Sequence, residues 1–302
     1  MRLGYLFATA SIALALVAGA CAPSTPPVSA PGSTAPAAAK GIPKAPAGTL
    51  LRTVQDRGKI IAGVKYDIPT FGYLNPVTNK LEGFDIDIVK GVANYIFGDP
   101  EAVEFKQAVS KDRIPFLKDG VVDIVASTMT ITEDRTKEID FAETYFVAGQ
   151  SLLVPANSTI KSIADLSGKK VATVKGSTSE TNLRTKAPGA EVILFDTYSE
   201  AVQAMDTNRA DTVTTDDIIL YGYVKQAPNK YKVVGGQFTV EPYGIGVAKG
   251  NAELLNAVNE ALRGMIKSGD WGKIYEKNLP GSKAPGPPPA DWRKVTLTTT
   301  TP

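Results

Sequence analysis

Residues 127–141, STMTITEDRTKEIDF, place several serine and threonine hydroxyls around one arginine. The stretch also contains the end of a predicted strand and the start of a predicted helix. The preceding VVDIVAS predicts a buried strand, and TEDRTKEI predicts a helix with a threonine N-cap and acids in its first turn. Hydroxyls, free N–H groups and the Arg135 guanidinium then converge, which suits a carboxylate or a phosphate. A capped helix with a solvated arginine fits the same pattern, so the local sequence leaves both interpretations open.

The composition excludes several kinds of site. The 302 residues suffice for two lobes or one large domain, 43% of them are hydrophobic, and the formal net charge is +2. Lys and Arg are scattered among acids, so nothing suggests a nucleic-acid partner. The absence of histidine excludes imidazole catalysis and His-containing metal sites. We expect no metal and no cofactor.

Residues 1–20 predict an export signal that ends just before Cys21. MRLGYLFATASIALALVAGAC contains Arg2, an apolar run of signal-peptide length and small residues before the only cysteine of the chain. No later segment is apolar over the ~18 residues of a membrane span, which favours a signal over a transmembrane helix. VAGAC resembles a bacterial lipobox, in which the cysteine is lipidated and becomes the mature N-terminus. An ordinary signal cleaved nearby, with Cys21 incidental, is the alternative.

The segments that flank the folded block have a biased composition. Residues 22–48 are mostly Pro, Ala, Ser, Thr and Gly, and such a segment cannot bury enough apolar surface to offset its ordering entropy. We therefore expect 21–48 to form the lipidated cysteine and a disordered tether. Residues 280–302 have a similar bias and predict a flexible tail.

Strand and helix patterns alternate between these segments, which predicts an α/β fold with mostly parallel sheets. KIIAGV, VEFKQAV and VDIVAST read as strands, with helices at GFDIDIVKGVANYIFG and RIPFLKDG. The alternation restarts after QSLLVP, so two sets meet near residue 147 and indicate two lobes. Polar turns follow strands in both sets, at ASTMTITEDR, VKGSTSET and VTTDD. Because open α/β sheets bind ligands beyond the carboxyl ends of their strands, a cleft between the lobes is the expected site.

Five motifs in order resemble the substrate-binding proteins of polar amino-acid ABC transporters, which have the type II Venus-flytrap fold. They are LEGFDIDIVKGVA, DIVASTMTITEDRTKEIDFAETYF, VKGSTSE, TTDDIILYGY and PYGIGVAK, and the resemblance covers about residues 50–279. GVKYDIPTFGYLNP, KDRIPFLKDG and FDTYSEAVQAM look most like the glutamate/aspartate binders. The resemblance implies two hinge crossings, with lobe one formed by 49–147 and 243–279 and lobe two by 148–242.

The resemblance also implies roles for three residues of lobe one. Arg135 corresponds to the arginine that holds the ligand α-carboxylate with two-pronged geometry. Thr130 supplies a hydroxyl and an N–H beside it, and Thr128 offers its backbone or side chain to the α-ammonium.

The resemblance also implies roles for residues of lobe two and for residues that contact the side chain of the ligand. Ser177 and Thr178 begin a helix aimed at a carboxylate, and Asp216 binds the α-ammonium. Lys65 and Arg113 match basic residues of the glutamate/aspartate binders. Two cations favour an acidic ligand, because a charge-assisted hydrogen bond contributes roughly 1.5–3 kcal/mol and an unpaired buried cation costs as much. The alternatives are that Lys65 is a solvated surface residue and that Arg113 only begins a helix.

The resulting expectation is a monomeric receptor, lipid-anchored on the extracytoplasmic face of the cell membrane, that captures glutamate or aspartate by lobe closure. Its partners would be the amino acid and an ABC permease with its ATPase. A glutamine or asparagine receptor that presents its ligand to a membrane sensor or kinase is the alternative. We expect no enzyme, because without histidine and with Cys21 at the lipobox a nucleophilic triad is hard to build.

Overall fold

The structure of the protein is a computed structural model that describes residues 41–279 and 286–296. The predicted signal peptide, Cys21 and most of the predicted tether lie outside the described residues. Within the described ranges, no helix is both long enough and apolar enough to cross a bilayer.

Hydroxyl caps and glycines set the limits of many helices. The Thr132 side chain accepts a hydrogen bond from the Arg135 N–H to begin α4, and Ser177 does the same for α5. Gly98 ends α2 in the left-handed conformation that favours glycine. The α-helices are α1 (Leu50–Arg57), α2 (Phe84–Phe97), α3 (Arg113–Lys118), α4 (Glu133–Glu138), α5 (Thr178–Lys186), α6 (Tyr198–Asp206), α7 (Asp217–Gln226), α8 (Ala252–Ser268) and α9 (Asp270–Asn278), with 3-10 turns at Ile163–Leu166 and Trp292–Lys294.

The strands are short, and the central ones are buried along almost their whole length. They are β1 (Ile60–Val64), β2 (Asp67–Ile68), β3 (Gly72–Leu74), β4 (Leu81–Glu82), β5 (Val103–Gln107), β6 (Ile124–Val125), β7 (Ile139–Phe141), β8 (Phe146–Ala148), β9 (Gln150–Pro155), β10 (Lys170–Val174), β11 (Glu191–Phe195), β12 (Thr212–Asp216), β13 (Tyr231–Val234), β14 (Glu241–Tyr243) and β15 (Gly246–Ala248).

Two five-stranded sheets form the centres of two lobes. The first has the order β5-β1-β6-β15-β7, and the second has the order β11-β10-β12-β9-β13. In each sheet the first three strands are parallel, while β15 in the first and β9 in the second run antiparallel to their neighbours. We use lobe one for the first sheet with its helices and lobe two for the second. The predicted two-lobed α/β fold is confirmed.

Two strands carry the chain between the lobes. β8 precedes β9 of lobe two, β14 precedes β15 of lobe one, and the two strands pair antiparallel, with Glu241 opposite Ala148 and Tyr243 opposite Phe146. These are the two hinge crossings that belong to the predicted fold. The limits predicted for each lobe, 49–147 with 243–279 and 148–242, stay a prediction.

A buried aromatic cluster fixes the hinge strands against lobe one. The ring centroids of Phe71 and Phe146 lie 5.0 Å apart, those of Phe71 and Phe84 5.4 Å, and those of Phe146 and Tyr243 5.6 Å. Such pairs contribute about 0.5–1.5 kcal/mol each beyond the burial of their area. The cluster therefore holds Tyr243 in place while its hydroxyl points toward lobe two.

Part of the C-terminal segment contacts lobe one. Residues 286–296 include the turn Trp292–Lys294, and the Thr144 N–H donates to the Ala290 carbonyl at 3.1 Å. The sequence did not predict this contact. The limits of the predicted flexible tail, 280–302, stay a prediction.

Candidate functional site

The polar turns at the strand ends of both lobes meet where the lobes contact each other. Thr128 and Thr130 follow β6 of lobe one, whereas Ser177 follows β10 and Asp216 ends β12 of lobe two. These four residues are buried, although each side chain is polar. The expected convergence of strand ends therefore places them around a common interlobe site.

Two arginines of lobe one reach the same main-chain carbonyl of lobe two. Arg113 Nη2 donates to the Gly176 carbonyl at 3.4 Å, and Arg135 Nη2 donates to it at 3.1 Å. Gly176 has φ +72°, and a Cβ added there would lie 2.8 Å from the Lys111 Cα. The turn before α5 can therefore approach lobe one only because it has no side chain at this position.

Arg135 is half-buried and keeps part of its hydrogen-bonding capacity. Its Nη1 donates to the Thr130 carbonyl at 2.7 Å and its Nη2 to Gly176. Burial lowers the pKa of Arg135, and the charge of Glu241 opposes that change. A guanidinium has five N–H donors, so those not used by these two carbonyls of the described chain can donate to an anion.

Asp216 carries a buried carboxylate oxygen without a partner. Its Oδ2 accepts from the Tyr243 hydroxyl at 2.5 Å, while no described residue donates to Oδ1. Burial, and then the charge of Glu241, raises the pKa of Asp216 well above its usual range. A cation at Oδ1 would oppose both causes and satisfy the oxygen, so the position suits an ammonium group.

The hydroxyls of Thr130 and Thr178 converge on a residue that the sequence did not single out. Thr130 Oγ1 donates to Glu241 Oε2 at 2.7 Å, and Thr178 Oγ1 donates to the same oxygen at 2.9 Å. A hydroxyl has one proton, so beside a ligand carboxylate these two side chains would have only lone pairs to offer. The N–H of Thr130 and the first N–H groups of α5 are the donors that remain for the roles implied by the resemblance.

Ser177 acts locally as a helix cap. Its Oγ accepts from the Glu180 N–H at 3.1 Å and donates to the Val174 carbonyl at 2.8 Å. The side chain thereby fixes where α5 begins, and it directs the first N–H groups of that helix toward the interlobe site.

Thr128 is held in a strained conformation by an acid of α2. Its φ is +44°, its N–H donates to Asp85 Oδ2 at 2.9 Å, and its carbonyl accepts from Arg113 Nη1 at 3.2 Å. The other oxygen of Asp85 accepts from the Tyr145 hydroxyl at 2.6 Å. Burial raises the pKa of Asp85 to about 6. Asp85 therefore positions the turn that carries Thr128 and Thr130.

Arg113 lies among main-chain carbonyls. Its Nε donates to Ser110 at 3.1 Å, and its Nη1 donates to Ser127 at 3.0 Å and to Thr128. With Gly176, four carbonyls occupy its donors. Burial, and then the charge of Arg135, lowers the pKa of Arg113 to about 9. The side chain links the turns of the two lobes and has little capacity left for a ligand carboxylate.

Lys65 is also buried next to other cations. Its Nζ donates to Ser110 Oγ at 2.8 Å and lies 5.8 Å from the centroid of the Tyr198 ring. Burial, and then the charge of Arg113, lowers the pKa of Lys65 to about 7. Of the two cations that the sequence counted toward an acidic ligand, Arg113 is largely engaged by the protein, whereas Lys65 keeps two of its three N–H groups.

Sequence reasoning missed Glu241, Asp85 and Tyr243. Each stands in or beside a quoted motif, Asp85 in GFDIDI and the other two around PYG. Asp85 and Glu241 could have been identified as acidic residues within otherwise apolar stretches. Carboxylates in such positions are buried only when they have specific partners.

Comparisons with known proteins identify the family of this chain. Residues 60–281 match the model of the bacterial extracellular solute-binding proteins, family 3. The ABC transporter glutamine-binding protein GlnH of Bacillus subtilis (strain 168) is 48% identical over 75% of this chain and 83% of its own length. The glutamine-binding protein of Geobacillus stearothermophilus is 52% identical over 67% of this chain and 78% of its own.

A solved structure has a similar fold. An ancestral arginine-binding protein bound to glutamine has 45% sequence identity and a TM-score of 0.69, and the match covers 74% of this chain and 98% of that one. The family model spans most of the chain, and the relatives are described as binding proteins. The chain therefore belongs to the bacterial extracellular solute-binding proteins of family 3.

Proposed function

We propose that this protein is the receptor of an ABC transporter and binds glutamine between its lobes. The observation that carries the proposal is the unpartnered, buried Oδ1 of Asp216, which lies close enough to Arg135 for their charges to interact. An amino acid supplies an ammonium for the first group and a carboxylate for the second. Charge-assisted hydrogen bonds at both ends contribute roughly 1.5–3 kcal/mol each.

The hydrogen bonds of Arg113 support a neutral ligand. A distal carboxylate needs a cation with free donors, and Arg113 has only one N–H left after its bonds to four carbonyls. Lys65 keeps two N–H groups beyond its bond to Ser110, so it can serve an amide oxygen as well as a carboxylate. A side-chain amide can donate and accept without a charged partner. The two curated relatives are named for glutamine, which also favours it over the acidic amino acid that the resemblance implied.

Delivery to a permease follows from lobe closure. Ligand binding shifts an open-closed equilibrium by the difference in its affinity for the two states, and the site takes residues from both lobes. The name of the Bacillus subtilis relative includes an ABC transporter, which supports a permease and its ATPase as partners. No observation on the described residues favours a membrane sensor.

Membrane attachment through Cys21 is a further part of the proposal. VAGAC and the Pro- and Ser-rich residues after it fit a lipidated cysteine followed by a tether. One acyl chain binds membranes weakly and reversibly, whereas several give stable anchoring. The receptor would then stay on the extracytoplasmic face, close to its permease.

Calorimetric titration of the purified protein at pH 7 tests the ligand. We expect glutamine to bind more tightly than glutamate, aspartate, asparagine and arginine, by at least about tenfold over glutamate. Tighter glutamate or aspartate binding would overturn the choice of glutamine and return Lys65 and Arg113 to the role of charge readers. Tighter arginine binding would also overturn it, and no heat with any of the five would overturn an amino-acid receptor.

A further inference from the structure

Glu241 lies on a hinge strand and receives hydrogen bonds from both lobes. Thr130 of lobe one donates to Oε2 at 2.7 Å, Thr178 of lobe two donates to the same oxygen at 2.9 Å, and Asn182 Nδ2 of lobe two donates to Oε1 at 3.2 Å. The side chain is 2% exposed. One carboxylate therefore joins the two turns that frame the interlobe site.

The donors of this carboxylate are neutral, and their protons are committed to it. Gln150 Nε2 donates to Thr178 Oγ1 at 3.2 Å, which leaves the single Thr178 proton for Glu241. Hydrogen bonds from neutral donors to a charged acceptor are stronger than those between neutral groups, and a buried charge that loses a donor is costly. The arrangement is favourable only while both lobes contribute.

We propose that Glu241 is an interlobe clasp that stabilises the closed arrangement through protein atoms alone. Because β14 is itself a hinge strand, separation of the lobes must break the contact with Thr130 or the contacts with Thr178 and Asn182. The clasp stabilises the closed arrangement with or without ligand. It therefore slows release of a bound ligand. The inference deepens the proposed function, since the closed arrangement is the one that encloses the amino acid.

Closure can be read at a contact that does not involve Glu241. Asp67 lies in β2, which directly follows β1 of lobe one, and accepts from the Tyr198 N–H at 2.8 Å and the Ser199 N–H at 3.3 Å, at the start of α6 in lobe two. First-turn N–H groups have no partner within their own helix, so their protection from hydrogen exchange reports the approach of the lobes.

The test compares hydrogen exchange of these two amides in ligand-free wild type and Glu241→Gln. We expect about tenfold faster exchange in Glu241→Gln, and about tenfold faster dissociation of glutamine in stopped-flow measurements. Glu253→Gln is the matched control, because Glu253 is exposed at the start of α8, and it should leave both rates unchanged. Wild-type rates in Glu241→Gln would overturn the clasp.

A second variant keeps the test decisive if Glu241→Gln loses its fold. Asn182→Ala removes one link from a half-buried side chain of α5 and should accelerate the same exchange by a few-fold. Unchanged exchange in that variant would overturn the proposal. Failure of the proposed function is distinguishable, because it appears as wild type that binds no glutamine, whereas the exchange experiment contains no ligand.

Discussion

At the scale of single residues, Asp216 combines a proposed binding role with a cost to the stability of the ligand-free fold. Its buried Oδ1 has no donor among the described residues, and burial raises its pKa well above the usual range. The Asp216 carboxylate therefore lacks, among these residues, a hydrogen-bond donor that a ligand ammonium could supply. Removal of its charge should therefore weaken binding without lowering the stability of the ligand-free protein.

Asp216→Asn tests this expectation. We expect glutamine affinity to fall roughly 10- to 100-fold, as loss of one charge-assisted hydrogen bond implies, while the melting temperature of the ligand-free protein does not fall. Calorimetric titration and thermal unfolding by circular dichroism measure the two effects. Glu253→Asn, at an exposed position, should change neither. Unchanged affinity, or a melting temperature that drops together with affinity, would contradict the assignment.

Lys65 makes stability depend on pH with a definite sign. Its folded-state pKa is about 7 against an ordinary value of 10.5, so between these values the unfolded chain binds a proton that the folded protein does not. The free energy of unfolding therefore rises with pH in this window, and below it the buried charge is fully unfavourable.

Lys65→Met should remove that dependence. The difference in free energy of unfolding, wild type minus variant, is expected to rise by up to about 1.4 kcal/mol per pH unit between about pH 7.5 and 9.5. Urea unfolding at several pH values gives the difference. Lys186→Met, at an exposed lysine of α5, is the matched control. A flat difference for Lys65→Met would show that Lys65 is solvated.

The residue types around the site were predictable from the sequence, but their partners were not. The hydroxyl before α4 read correctly as a cap, because capping depends on residues three apart in the chain. The contact between Thr130 and Glu241 joins residues 111 positions apart, and no local pattern encodes which proton goes to which oxygen. Lys65 and Arg113 were counted as free cations for the same reason.

At the scale of elements, the turn between β10 and α5 combines two demands on one glycine. Gly176 needs a positive φ, and its Cα lies so close to lobe one that a Cβ would approach the Lys111 Cα to 2.8 Å. Gly236 has a similar φ of +61°, but a Cβ there would meet nothing within 4 Å. Substitution of the two glycines therefore distinguishes the effect of backbone strain from the effect of contact between the lobes.

Gly176→Ala and Gly236→Ala form a matched pair. Both should lower the free energy of unfolding by about 1 kcal/mol, because an alanine is strained at positive φ. Only Gly176→Ala should weaken glutamine binding, by about tenfold or more, since the added methyl group keeps the lobes apart. Chemical unfolding and calorimetric titration provide the measurements. Equal losses of affinity in both variants would mean that strain, and not the approach of the lobes, controls binding.

Long periodic elements were predictable, whereas the hinge strands were not. The apolar repeat of α2 and the short apolar run of β1 are local signals, and both elements form where expected. β8 and β14 have three residues each, and their pairing joins residues that are nearly a hundred positions apart. Such a pair is defined by tertiary contacts with the aromatic cluster, so a pattern in either segment alone is too short to indicate it.

At the scale of the whole molecule, alternating strands and helices predicted the α/β class, and the return of the chain to lobe one came only from the family resemblance. β15 enters the first sheet between β6 and β7, a position that nothing in the sequence around Gly246 specifies. Sheet order depends on which edges remain open after earlier strands have paired, and this is a property of the assembled fold.

The proposed attachment to the membrane is also a property of the whole chain. Cys21→Ser should move the protein from the membrane fraction of the producing cell to the soluble fraction or the medium, because the acyl chains would be lost. Ser24→Ala, in the same segment, should leave it with the membrane. Immunoblots of the fractions give the result, and membrane retention of Cys21→Ser would contradict the lipobox interpretation.

The crystal structure of the glutamine complex tests the central claim most directly, because that claim is the arrangement of one amino acid between the lobes. The account predicts the α-ammonium within hydrogen-bonding distance of Asp216 Oδ1, the α-carboxylate on the Arg135 guanidinium, and the amide end toward Lys65. A glutamine whose ammonium lies on Glu241, or whose carboxylate lies away from Arg135, would contradict it.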